Sequence, residues 1–120
     1  MVHLRSSAIK RAQKESLLKH VFSELLLQIM LDDKRIQGIY VSRVKLSSDK
    51  SVCTVFFYTP DGVDAFNEKL GCLLLYKPSL RKAIAQAIPS RYVPELVFKF
   101  DDQVEKQQRI DELFETIQDR

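Results

Sequence analysis

Tryptophan is absent from the sequence, and cysteine, glycine and proline are scarce, with two, three and four residues among 120. So few glycines and prolines exclude a collagenous, low-complexity or loop-built chain, which needs many permissive or rigid backbone positions. Cys53 and Cys72 could form at most one bridge and lack Cys-x-x-Cys spacing. That cannot staple a disulfide-rich secreted fold, so both read as reduced core thiols of a cytosolic protein. No apolar run approaches the roughly 18 residues of a membrane span. Glu24 and Gln28 interrupt the densest stretch, Val21 to Leu31. The segment Met1 to Lys14 is basic without the apolar centre of an export signal.

What is present suits one compact domain with one core: 45% of residues are hydrophobic and 29% charged. The formal charge of +3 does not by itself announce a nucleic-acid binder. Its distribution says more. Residues 101–120 hold seven acids and three bases, so residues 1–100 carry +7 against −4 in the tail. A basic body of residues 1–101 followed by an acidic, amphipathic segment of residues 102–120 is the expected organisation.

Leu18, Phe22, Leu25 and Ile29 recur at spacings of four, three and four, which predicts a helix over Ser7 to Leu31. Beyond Asp32-Asp33-Lys34-Arg35 the pattern changes to alternation. Tyr40, Ser42, Val44 and Leu46 fall on one side of a strand, with Ile39, Val41, Arg43 and Lys45 on the other. The polar turn Ser47-Ser48-Asp49-Lys50 and the β-rich run Val52 to Tyr58 complete an antiparallel hairpin. Thr59 or Asp61 is expected to cap a helix whose core face is Val63, Phe66, Leu70, Leu73 and Leu74. Pro78 predicts a break at Lys77-Pro78-Ser79 before a second helix through Leu80, Ile84 and Ile88. A strand over Tyr92 to Phe100 follows, its start marked as an edge or lead-in by Pro94. The last segment, Asp102 to Gln118, gathers Ile110, Leu113, Phe114 and Ile117 on one helical face. The order α-β-β-α-α-β, with a three-stranded sheet covered by helices on one face and a C-terminal helix, is a two-layer α+β fold.

Catalytic signals are thin. Gly38, Gly62 and Gly71 are too scattered for a phosphate-cradling loop, and no Walker or dinucleotide motif occurs. His3 and His20 lack a second ligand at metal-binding spacing. The acid pairs Asp32-Asp33 and Asp101-Asp102 stand at element ends, where carboxylates cap amides or face solvent. Neither cysteine has a base beside it, and Cys72 lies among leucines. No catalytic residue, metal or cofactor is expected.

A basic surface remains. Lys77, Arg81 and Lys82 surround the expected helix break, Arg91 follows the next helix, and Arg43 and Lys45 share a strand face. Such cations bind phosphate oxygens and release counterions, giving salt-dependent, largely sequence-blind affinity. Arg81 could equally pair with Glu68 or Glu95, Arg91 could hydrogen-bond the turn that follows it, and Tyr40 and Tyr92 could stack on bases or fill the core. The amphipathic face of Ile110 to Ile117 leaves open a second class, a protein-interaction module docking through that helix.

The ungapped stretch Leu80-Arg81, Ile84, Ile88, Arg91-Tyr92-Val93-Pro94-Glu95-Leu96-Val97-Phe98 and Asp101 resembles the most diagnostic segment of the bacterial ribosome-binding factor A family. Asp33-Lys34-Arg35, Val44 with Ser47-Ser48-Asp49, and Arg109-Ile110 with Leu113-Phe114 extend the resemblance over residues 5–115. It implies a type II KH-like domain, a cytoplasmic monomer that catalyses nothing. Its implied partner is the immature small (30S) subunit and the 16S rRNA precursor, assisting late maturation, 5′-end processing and growth in the cold. It also implies no membrane or small-molecule partner. Lys77, Arg81, Lys82, Arg91, Arg43 and Lys45 are then the expected phosphate contacts, with Arg5, Lys10 and Arg11 extending the footprint. The family's Ala-x-Gly kink falls on Tyr76-Lys77-Pro78 here. Glycine bends a chain by tolerating positive φ, whereas proline does so by removing a donor and fixing φ.

Overall fold

The structure, a computed structural model, describes residues 2–88 and 93–118, with side chains described for residues 9–88 and 93–117. Helix α1 (Val2–Asp32) begins five residues before the expected start. It buries Leu18, Phe22 and Leu26, while Leu25 and Ile29 flank them partly buried. Asp33 ends it by turning extended, with φ −127°, and its carboxylate accepts from the Arg35 amide to open a short 3-10 turn, Lys34–Ile36. Gln37 Nε2 donates to the Met30 carbonyl in the last turn of α1 at 3.2 Å.

Strands β1 (Tyr40–Leu46) and β2 (Val52–Tyr58) form the antiparallel hairpin, and β3 (Glu95–Phe100) lies parallel to β2, giving the order β1-β2-β3. In the hairpin turn Asp49 accepts from both Ser47 and Ser51 hydroxyls and the Ser51 amide. Those donors hold its carboxyl down at about 2.

Simple alternation fails in β1. The pairing runs Val41 to Phe57 and then Arg43 to Phe56, so Ser42 is an extra, bulged residue. One inserted residue reverses the faces on its N-terminal side. Val41, expected beside Arg43 and Lys45, is instead buried with Val44 and Leu46. The core joins these to Cys53, Val55, Phe57 and Leu96 of the sheet and to Leu18, Phe22, Phe66, Leu73 and Ile84 of the helices. Fully buried thiol character belongs to Cys53, pushed up to about 12 by burial, whereas Cys72 is only half-buried.

Two helix starts also differ from expectation. Helix α2 (Val63–Leu75) is capped by Gly62 at φ 94°, with no side-chain cap. Thr59 instead accepts from the Asp61 amide and closes the preceding turn. Phe66 and Leu73 form the buried face, but Val63 and Leu74 remain 42% and 43% exposed at its margins. The break falls on Tyr76. Lys77 opens α3 (Lys77–Ala87) and Pro78 sits in its first turn, where a missing amide donor costs no intrahelical bond. Helix α4 (Asp102–Gln118) leaves the end of β3, its Gln103 amide capped by Asp101 at 3.0 Å. Its Ile110, Leu113, Phe114 and Ile117 are 45–67% exposed. No described helix is long and apolar enough to cross a membrane.

Candidate nucleic-acid interface

The turn between α2 and α3 is held from below. Tyr76 donates its hydroxyl to Asp33 Oδ2 at 2.6 Å, and the same carboxylate takes Arg35 through Nε at 2.9 Å and Nη2 at 2.7 Å. The Arg35 hydrogen bonds, then that of Tyr76, hold the Asp33 carboxyl far below its ordinary range. The Tyr76 phenol is raised in turn, chiefly by donating to that anion. Asp33 thereby fixes the backbone from which Lys77 and Pro78 start α3. The sequence names Asp33-Lys34-Arg35, and the capping carboxylate two residues before its partner was the available signal; Tyr76 as the third member was not legible.

Leu74, Lys77, Pro78, Arg81 and Glu95 line an open depression of about 560 Å³ beside this turn. Lys77 is half-buried, and Arg81 and Lys82 are exposed on α3. Arg81 makes a long 3.4 Å contact to the Val93 carbonyl rather than an ion pair with Glu68 or Glu95. Lys77 and Lys82 have no ion pair among the described residues.

Arg43 and Lys45 lie elsewhere, on the sheet face turned away from the core. Arg43 is bound at Nε to Asp101 at 3.1 Å, and its guanidinium carbon stands 3.9 Å over the Phe56 ring. Ser42 donates to the same Asp101 oxygen at 2.6 Å. Adjacent strand residues ordinarily point to opposite faces, so the bulge is what lets both reach one carboxylate. Burial opposes ionisation of Asp101, but the Ser42 hydrogen bond and the Arg43 charge outweigh it and lower its pKa.

Lys10 is exposed and Arg11 half-buried, one turn before Lys14 on α1. Arg5 lies on α1 before the described side chains, and Arg91 and Tyr92 lie outside the described residues. Tyr40 is 47% exposed and meets Tyr58 edge-on, with ring centroids 5.6 Å apart. The described expected contacts thus divide between the packed helices α1 and α3 and the outward sheet face. His20 pairs with Glu24 at 3.0 Å, and no group of His, Cys, Asp or Glu able to hold a metal occurs among the described residues.

A helix-backed hairpin with a parallel third strand and exposed cations defines a KH-like α+β domain, the class of small RNA-binding modules. A family model described as ribosome-binding factor A matches residues 10–114. The chain belongs to the ribosome-binding factor A family, a family of ribosome-binding factors rather than of known enzymes. It is 36% identical over 112 residues to the ribosome-binding factor A of Citrifermentans bemidjiense, covering 91% of this chain and 92% of that one. The solution NMR structure of a Thermotoga maritima putative ribosome-binding factor A superposes with a TM-score of 0.67 at 29% identity, covering 76% and 86% of the two chains. A homology model of the Thermus thermophilus factor, fitted into an electron cryo-microscopy map of its 30S complex, gives a TM-score of 0.56 at 28% identity, covering 69% and 86%.

Proposed function

We propose that the chain binds the immature small (30S) subunit through its 16S rRNA in the cytoplasm and assists late maturation and 5′-end processing, supporting growth in the cold. The observation that carries this reading is the cationic depression of Lys77 and Arg81, set on a helix junction held by Asp33 and Tyr76. A fixed turn spares binding the cost of ordering the backbone that carries these charges. The 30S complex of the Thermus thermophilus relative supports the choice of partner. No bond is made or broken by such a factor. Differential affinity for one rRNA conformation shifts the population toward it. Residues 1–101 form the RNA-binding body in this reading, and residues 102–120 an acidic appendage.

Gradient co-sedimentation with small subunits, large subunits and joined ribosomes, at low and high salt, tests the proposal. The expected result is selective migration with free small subunits, lost as salt rises. Lys77→Ala is expected to weaken that binding and to reduce its salt slope by about one. Absence from every ribosomal fraction overturns the reading. Docking through the exposed Ile110, Leu113, Phe114 and Ile117 of α4 then becomes the leading function.

A further inference from the structure

The outward sheet face carries three strands' residues in register. Arg43 pairs with Phe56 on β2, and Phe56 pairs with Lys99 on β3, so a guanidinium, an aromatic ring and an ammonium form one cross-strand row. Lys45, Thr54 and Val97 form the next row. Lys45 and Lys99 are exposed, and Phe56, Thr54 and Val97 are only partly covered. Neither lysine enters an ion pair among the described residues.

Arg43 is organised in advance. Asp101 fixes Nε, Phe56 supports one face of the guanidinium, and no hydrogen bond among the described residues engages its terminal nitrogens. Its side chain is nevertheless 39% exposed. A guanidinium plane backed by an aromatic ring offers its outer face for stacking and its terminal donors for phosphate. The nearby acids do not cancel this field. Asp101 is buried and paired, Glu105 is paired with Arg109, and Glu95 stands one row beyond Lys45, on the outer strand at the far end of the face from Lys99.

We propose that this sheet face is a second RNA-binding site, taking single-stranded RNA with one base stacked on the Arg43 guanidinium and flanking phosphates on Lys45 and Lys99. The charge of the face selects a polyanion, and the exposed plane selects an unpaired base over a duplex, whose bases present no free stacking surface. The inference rests on the RNA-binding reading above but uses a surface separate from the α2–α3 turn. It adds Phe56 and Lys99, which alternation alone left as ordinary strand residues.

The test is fluorescence anisotropy of the full chain with a labelled oligouridylate of about 12 nucleotides, and with a duplex RNA of equal length, across a salt series. The expected result is preference for the single strand. Lys45→Ala/Lys99→Ala is expected to weaken single-strand binding and to reduce its salt slope by about 1.4, or about 0.7 per lysine. Arg43→Lys keeps the charge and removes the plane, so it is expected to lower affinity roughly 5-fold or more with the slope unchanged. Arg43 also holds Asp101, so melting temperature is followed for each variant. The two lysines enter no ion pair among the described residues and supply the decisive variant should Arg43→Lys unfold. Unchanged oligouridylate affinity of a folded Lys45→Ala/Lys99→Ala at every salt concentration overturns the proposal. The subunit reading is judged separately, by sedimentation of Lys77→Ala.

Discussion

Tyr76 reaches from the α2–α3 turn to the end of α1 and donates its hydroxyl to Asp33 Oδ2 at 2.6 Å, although the two residues are 43 positions apart. A glycine at such a bend would need no such support, because it adopts strained backbone conformations at little steric cost. Here a tyrosine and a proline occupy the bend, and a carboxylate below them defines where it falls. The departure at Tyr76-Lys77-Pro78 thus comes with its own anchor.

Tyr76→Phe is expected to lower the melting temperature by a few degrees, and Asp33→Asn by more, since Arg35 also loses its partner. The pH dependence follows from the depressed Asp33 pKa. A carboxyl whose folded pKa lies below its ordinary 3.8 contributes stability that is complete above that value. The contribution is lost as pH falls from there toward the folded pKa. The gap between the parent and Asp33→Asn should therefore be full at pH 7 and shrink below about pH 3.8, measured by thermal melting across pH. A gap that persists undiminished at pH 2 would show that the ionised carboxylate is not what holds the turn.

Element order and type were legible because they rest on periodicity: Leu18 and Phe22 on a helix, Val52 to Tyr58 on a strand, Pro94 at a strand's start. What escaped were local inversions with no periodic signature. The Ser42 bulge depends on a carboxylate 59 residues away, and the Gly62 cap on a turn already closed by Thr59. The candidate site was legible as composition, in Lys77, Arg81 and Arg43, but not as geometry. Two strand residues apart and one helix turn apart look alike in a charge count, yet the fold sends them to different surfaces.

Asp101 is the second long-range carboxylate, joining Ser42, Arg43 and the α4 cap. Its removal strands three donors on two elements, β1 and α4. Breaking a buried pair costs about 3–5 kcal/mol, and partial exposure of Arg43 reduces this, so Asp101→Ala is expected to lose roughly 2–3 kcal/mol in urea unfolding. Ser42→Ala should lose roughly 1 kcal/mol, as the carboxylate retains its other partners. Equal costs for the two would mean that neither Arg43 nor the α4 cap contributes through Asp101.

Cys53 sits fully buried on β2, with its thiol pushed up to about 12 by burial and then by the Glu15 charge. The thiolate is the reactive form, so the folded protein should leave Cys53 unlabelled by iodoacetamide at pH 8. Mass spectrometry is expected to find Cys72 modified first, and Cys53 only once urea unfolds the chain. Simultaneous labelling of both in buffer would mean that the sheet opens locally around β2.

The acidic helix supplies the last expectation. Ile110, Leu113, Phe114 and Ile117 are exposed, so their removal does not strip the core. Tyr58, by contrast, donates to Gln108 at 2.6 Å, which ties the first half of α4 to the sheet. Truncation after Arg109 respects that division. It removes Asp111, Glu112, Glu115 and Asp119 with Arg120, raising the formal charge from +3 to +6. The truncated chain is expected to melt within a few degrees of the parent and to bind duplex and single-stranded RNA more tightly at low salt, with the advantage disappearing as screening shortens the reach of the removed charges. Truncation after Asp101 also removes Gln108 and the α4 cap, and it should melt lower. If the shorter deletion folds and binds RNA no more tightly at any salt concentration, the acidic helix does not shield the basic body, and its apolar face is left as the reason for its presence.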